Sequence, residues 1–182
     1  MLWRWIAAAG AVTLVAGFFL TWITVAPDAG PVDQLFGRFI PEPYRSQLLS
    51  PRLRYSGLEL AQGPQIKTPV GNVGQLAGTT ELWAGPVFGV AAVISALAIP
   101  AARTAAGVVL AEGLAAGALL FIGLQRLMAD KIPYTSISTE TGLWVTLIGL
   151  AVLLVGAIIG FAMPRPHRAG PTLATDTGPA RP

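Results

Sequence analysis

The chain has 182 residues, 53% of them hydrophobic and only 12% charged, with a net charge of +3. A charged share so far below that of soluble domains, with the apolar residues gathered into long runs, excludes an ordinary water-soluble domain. The twelve basic residues are scattered among nine acidic ones without a basic stripe, which argues against nucleic acid, and the absence of cysteine excludes disulfides, thiolate metal sites and covalently attached c-type haem.

In chain order, the first apolar run (1–25) contains one charge, Arg4, and about twenty-one uninterrupted residues follow it, enough to cross a hydrocarbon core of ~30 Å. The run is longer than a signal-peptide core, and Pro27 follows the only suitable cleavage alanine, Ala26, so it reads as an uncleaved signal anchor. Residues 26–81 form a first outer loop, far longer than a connection requires and therefore expected to be partly ordered and functional. Within it, Leu35, Phe36, Phe39 and Ile40 recur at helical spacing, which suits a short surface helix ended by Pro41 and Pro43. Arg52 to Tyr55 and Leu58 to Leu60 alternate and suggest short strands or extended turns, whereas 63–78, rich in Gly, Pro, Gln and Asn, reads as loop. Three further spans follow at 82–100, 101–125 and 143–163, the first two joined by a tight hairpin at Pro100 and Arg103. A second outer loop, 126–142, is expected to do no more than cap the bundle, and the Pro-, Gly- and Thr-rich tail, 164–182, is expected to be disordered and cytoplasmic. The fold class is thus an all-α membrane protein, a four-transmembrane-helix bundle with a long first outer loop.

Tryptophan favours the headgroup level, where a partly buried indole keeps its N–H within reach of water, and Trp3, Trp5, Trp22, Trp83 and Trp144 all fall near predicted span ends. Arg4, Arg103, Arg165 and Arg168 share one side, which the positive-inside rule makes cytoplasmic, together with both termini. Small residues recur at spacings that allow close helix approach: Gly85 and Gly89, Gly113 and Gly117, Gly156 and Gly160, with Gly10 and Gly17 one heptad apart. Internal packing is the favoured reading, and contact with another chain the alternative.

Nucleophilic triads need a histidine near the nucleophile, and the one histidine, His167, stands between Arg165 and Arg168 in the tail, where a membrane-proximal basic cluster is its simplest role. No predicted span offers an imidazole for haem or chlorophyll, and Gly71-Asn72-Val73-Gly74 lacks the lysine and strand-to-helix setting of a phosphate loop. No cofactor, metal site or catalytic activity is expected. One intramembrane acid stands out. Glu112 follows Arg103 by nine positions, a rise of ~13 Å that places it near the bilayer midplane. With no charge in mid-span to pair with it, a neutral, hydrogen-bonded acid is expected, with Thr13 and Ser95 as hydroxyl partners at comparable depth. Contact with a partner subunit or lipid, and ion or proton passage, are the other roles open to it.

Trp22 near the end of the first span, the loop motif Ser56-Gly57-Leu58-Glu59-Leu60 and three closely spaced later spans resemble a group of small bacterial four-helix membrane proteins. The layout, with a long first and a short second outer loop, also resembles that of claudin-type tetraspans, whose paired loop cysteines this chain lacks. The resemblance implies a multi-pass protein of the bacterial cytoplasmic membrane. The expected function is that of an accessory or structural subunit of a larger assembly, such as a respiratory or photosynthetic complex, with the lipid bilayer and other membrane subunits as partners. A small transporter or channel component using Glu112, and a self-associating tetraspan that forms homo-oligomers and organises the envelope, are the alternatives.

Overall fold

The structure is a computed structural model that describes residues 1–27, 41, 52–63, 65–68, 71–75, 79–129 and 135–163. The surface helix expected around Phe36 and the basic tail with His167 lie outside them. In order, the elements are α1 (Leu2–Phe19), β1 (Thr21–Pro27), β2 (Leu53–Ser56), α2 (Gly57–Gln62), β3 (Gln65–Thr68), β4 (Gly71–Gln75), a 3₁₀ turn (Thr80–Trp83), α3 (Ala84–Ala98), α4 (Ala102–Ala129), β5 (Thr135–Thr139) and α5 (Thr141–Ala162). The described residues are mostly helical, and among them four segments are long and apolar enough to cross a membrane: α1, the 3₁₀ turn continued by α3, α4 and α5.

The helices form a ring in which α1 touches α5 and α3, and α4 touches α3 and α5. The α1–α5 seam is the closest. At Gly156 an added Cβ would lie 2.6 Å from the Ala7 nitrogen, and at Gly160 one would lie 2.5 Å from the Trp3 ring. Gly10 and Gly149 each have the other helix's backbone where a side chain would stand, and Gly17 lies against Thr146. Glycine is needed here because the van der Waals attraction that holds apolar helices together grows as their backbones approach. Gly85 and Gly89 face Leu14 on α1, while Gly113 and Gly117 face leucines of α5. All three predicted glycine pairs therefore serve packing within the chain.

Among the described residues, two clusters fill the interior. At the end carrying the chain start the core is made of small residues around Trp3, among them Ala7, Ala11, Ala92, Ala96, Ala105, Ala106 and Ala157. At the other end it is made of large ones, including Phe18, Trp22, Ile23, Tyr55, Leu60, Leu82, Leu127 and Leu143. The helices approach closely where the core is alanine, and the second end receives the loop elements.

Several boundaries differ from those expected. The first span ends at Phe19, not at residue 25, because Leu20 turns to extended backbone and the β-branched run Thr21, Ile23, Thr24 and Val25 forms β1. β1 is the centre of a three-stranded antiparallel sheet in the order β2-β1-β5, with a register shift at Trp22 between Thr21 and Ile23. The loop expected at 63–78 contains the antiparallel pair β3 and β4, and 58–60, expected to be extended, belongs to α2. The third span continues as helix to Ala129, and the second loop supplies β5, so it extends the sheet as well as closing the bundle.

Candidate functional site

Two places concentrate the polar and aromatic side chains singled out above: the joint where the sheet meets the bundle, and the seam between α3 and α4.

The joint is built on Trp22. Its indole nitrogen donates to the Gly17 carbonyl at 2.8 Å, satisfying one of the last carbonyls of α1, and its ring stands edge-on to Phe18 with centroids 5.9 Å apart. Gly57 packs beneath both, since an added Cβ would lie 2.7 Å from the Trp22 ring and 2.8 Å from the Phe18 carbonyl. The motif Ser56 to Leu60 now has a physical account. Ser56 caps α2, accepting from the Glu59 N–H at 3.3 Å, while the Glu59 carboxylate accepts from the Ser56 N–H at 2.7 Å and from its hydroxyl at 2.9 Å. Leu60 is buried in the large-residue core and Leu58 packs against it. Gly63, at a φ of 76°, ends the helix in the left-handed region that glycine tolerates. Beside this, Tyr55 is buried in β2, and burial, with the nearby Glu59 carboxylate, pushes its phenol above the usual range. Across the sheet, the Thr24 hydroxyl donates to Glu140 at 2.8 Å, and Arg126 pairs with Glu81 where α4 passes the 3₁₀ turn.

At the α3–α4 seam the Ser95 hydroxyl donates to Glu112 Oε1 at 2.9 Å. Thr13, the other expected partner, is not in contact. Its hydroxyl donates to the Ala9 carbonyl of its own helix at 2.9 Å, the common fate of threonine in a helix. Glu112 Oε2 is buried and has no hydrogen-bond partner among the described residues. At the end of the bundle carrying the chain start, Arg4 donates to the Ile99 and Pro100 carbonyls at 2.8 and 3.0 Å, and Arg103 to the Phe161 carbonyl at 3.3 Å. These two arginines close the exposed carbonyl ends of α3 and α5, where cations are favoured by the helix dipole.

The five tryptophans divide. Trp5, Trp83 and Trp144 are 66%, 39% and 58% exposed near helix ends, as interface anchors require, but Trp3 and Trp22 are 1% and 0% exposed. These two are corrected to interior residues: Gly160 opens room for Trp3, and Gly57 for Trp22. Proximity to a span end was the signal in all five cases, and it does not say which way a ring turns. Sequence reasoning also missed β5, Gly149, and Gly142, which has the Thr21 carbonyl where a side chain would stand. An S/T-x-x-E pattern at Ser56 and Glu59 was present and would have located α2. Among the described residues no group of three His, Asp or Glu is placed to hold a metal ion.

The fold and these two places define the class: a four-helix bundle with helices long and apolar enough to span a membrane, carrying a small antiparallel sheet on one end. In comparisons with family models, curated proteins and solved structures, nothing matches the chain.

Proposed function

We propose that this chain is a multi-pass, non-catalytic subunit of the bacterial cytoplasmic membrane, with both termini in the cytoplasm. It packs its helices against a larger membrane complex and presents the sheet end outward as a binding surface. One observation carries the reading. β1 continues from α1 across the single residue Leu20, and β5 runs into α5 across the single residue Glu140, so the sheet is held at a fixed attitude to the two most closely packed helices. A platform joined this stiffly to a bundle suits recognition of a partner, because little freedom is lost on binding. Arg4 and Arg103 at the opposite end support the orientation. Extraction in mild detergent followed by native electrophoresis and mass spectrometry tests the role: co-migration with a large assembly is expected, and a chain found only alone refutes it. Reporters active on one side of the membrane, fused to each end, test the orientation. Opposite locations would refute it.

The unsatisfied Oε2 of Glu112 favours a second reading, a small transporter or channel component, since buried intramembrane carboxyls mark ion pathways. Proton flux into liposomes by the wild type, absent in an equally folded Glu112→Gln protein, would establish it in place of the first.

A further inference from the structure

The edge strand β5 presents a geometry that the subunit role does not use. In its pairing with β1, Ile23 is opposite Thr139, Thr24 opposite Ser138, Val25 opposite Ile137 and Ala26 opposite Ser136. The ladder continues one step further, where the Glu140 N–H donates to the Trp22 carbonyl at 2.7 Å, making Glu140 and Trp22 a hydrogen-bonded pair. Such pairs alternate along an antiparallel ladder, so Ser138 and Ser136 also turn their backbone groups toward β1. The N–H and C=O groups of Thr135, Ile137 and Thr139 therefore point the other way. Among the described residues nothing pairs with that outward edge.

Exposed edges are usually blunted by charge, proline or a bulge, and Thr135-Ser136-Ile137-Ser138-Thr139 carries no charge and no proline. It also reads the same in both directions. We propose that β5 is a self-association site, at which two copies of this chain pair their β5 strands antiparallel about Ile137 to make one six-stranded sheet. The symmetry is self-consistent at three levels. The outward groups, at 135, 137 and 139, are themselves symmetric about Ile137, so Ile137 forms a hydrogen-bonded pair with its own copy and Thr135 with Thr139. Like residues then stand opposite like, giving Thr–Thr and Ser–Ser cross-strand pairs on the two faces. The two-fold axis must stand perpendicular to the sheet. Ile23 and Val25 share the large-residue core with Leu82, Leu127 and Leu143, with Ile137 packed against it, and the proposed pairing requires this axis to run along the bundle. Two copies related in this way share one orientation, as two copies in a single membrane must.

The register makes a sharp test, because the chain has no native cysteine. Ser136 of one copy faces Ser138 of the other as a non-hydrogen-bonded pair, where Cα atoms are ~4.5 Å apart and a disulfide is well accommodated. Ser136→Cys/Ser138→Cys in the full chain, oxidised in native membrane vesicles, is expected to give a disulfide-linked dimer. Ser136→Cys alone and Ser138→Cys alone, whose copies sit diagonally, are expected to give far less. Adding Thr139→Pro removes an outward N–H while leaving the β1 ladder intact and is expected to abolish the dimer without loss of the folded protein. Equal cross-linking in all three cysteine variants would show random collision, and no dimer in the double variant would show that another segment or another protein covers the edge. Either outcome overturns the proposal. The subunit role stands or falls separately, since co-migration with a large assembly does not depend on β5.

Discussion

Filling the closest part of the α1–α5 seam should destabilise the fold by an amount that a matched control isolates. In Gly156→Ala the new Cβ would lie 2.6 Å from the Ala7 nitrogen, 2.9 Å from its Cα and 3.1 Å from its Cβ. Carbon atoms rest comfortably at about 3.5 to 4.0 Å, so α1 and α5 must separate by several tenths of an ångström. The obstructing atoms are backbone and cannot rotate away, which places the cost within the ~1 to 3 kcal/mol typical of overpacking. Alanine also gains about 1 kcal/mol of helix propensity over glycine, and this gain would mask part of the loss. Gly107→Ala collects the same gain with no obstruction, the nearest atom to its new Cβ being a Phe161 ring carbon at 4.0 Å. The difference between the two variants is therefore the strain alone, about 1 to 3 kcal/mol. Equilibrium unfolding of both in mixed micelles, titrated with a denaturing detergent and followed by tryptophan fluorescence, measures it. Equal stability of Gly156→Ala and Gly107→Ala would refute the close-packed seam.

At the α3–α4 seam, Glu112→Gln keeps the shape and an acceptor for Ser95, so it should be tolerated, whereas Glu112→Leu should cost about the ~0.6 to 2 kcal/mol of an interhelical hydrogen bond in the same titration. Equal losses for the two would remove the bond from the account. Ser56→Ala should cost ~1 kcal/mol through loss of the cap on α2, with Ser56→Thr near neutral; no difference between them would show that the capping box does not hold the joint. Tyr55 should ionise above the ordinary tyrosine value of about 10, because burial and then Glu59 oppose the phenolate. The unfolded chain then loses its proton first, so stability should be full below about pH 10 and fall as pH rises through the folded value. Alkaline absorbance titration against Tyr55→Phe reads this, and a Tyr55 that titrates at or below the ordinary value would contradict its burial.

The helical frame was legible because long apolar runs, the Pro100 hairpin and paired glycines are each direct physical requirements of closely packed apolar helices. The Glu112 and Ser95 contact was legible for a related reason, since helical rise fixes depth. Thr13 shows the limit: rise sets depth but not which neighbour a helix face meets, and α1 turns that hydroxyl to its own backbone. The strands were hidden by their setting. Thr21 to Val25 follows α1 without a polar break, and an apolar run does not say whether it is helix or strand unless its β-branched content is weighed. Thr135 to Thr139 is short and polar, and only its pairing with β1 makes it a strand. Trp3 and Trp22 were misplaced because burial beside a glycine on a distant segment is a tertiary fact.

The partnership of α1 with α5 sets the order in which the molecule can be made. The first helix to leave the ribosome finds its closest partner only when the last one arrives, and β1, the centre of the sheet, waits equally for β5. Until then Gly10, Gly17 and the neighbouring small residues of α1 line an unfilled groove, and the loop closure that brings the partners together spans most of the chain. A nascent chain cut off before β5 therefore lacks both the glycine seam and one edge of the sheet, so truncated products should be recognised and degraded rather than accumulate as partly working protein.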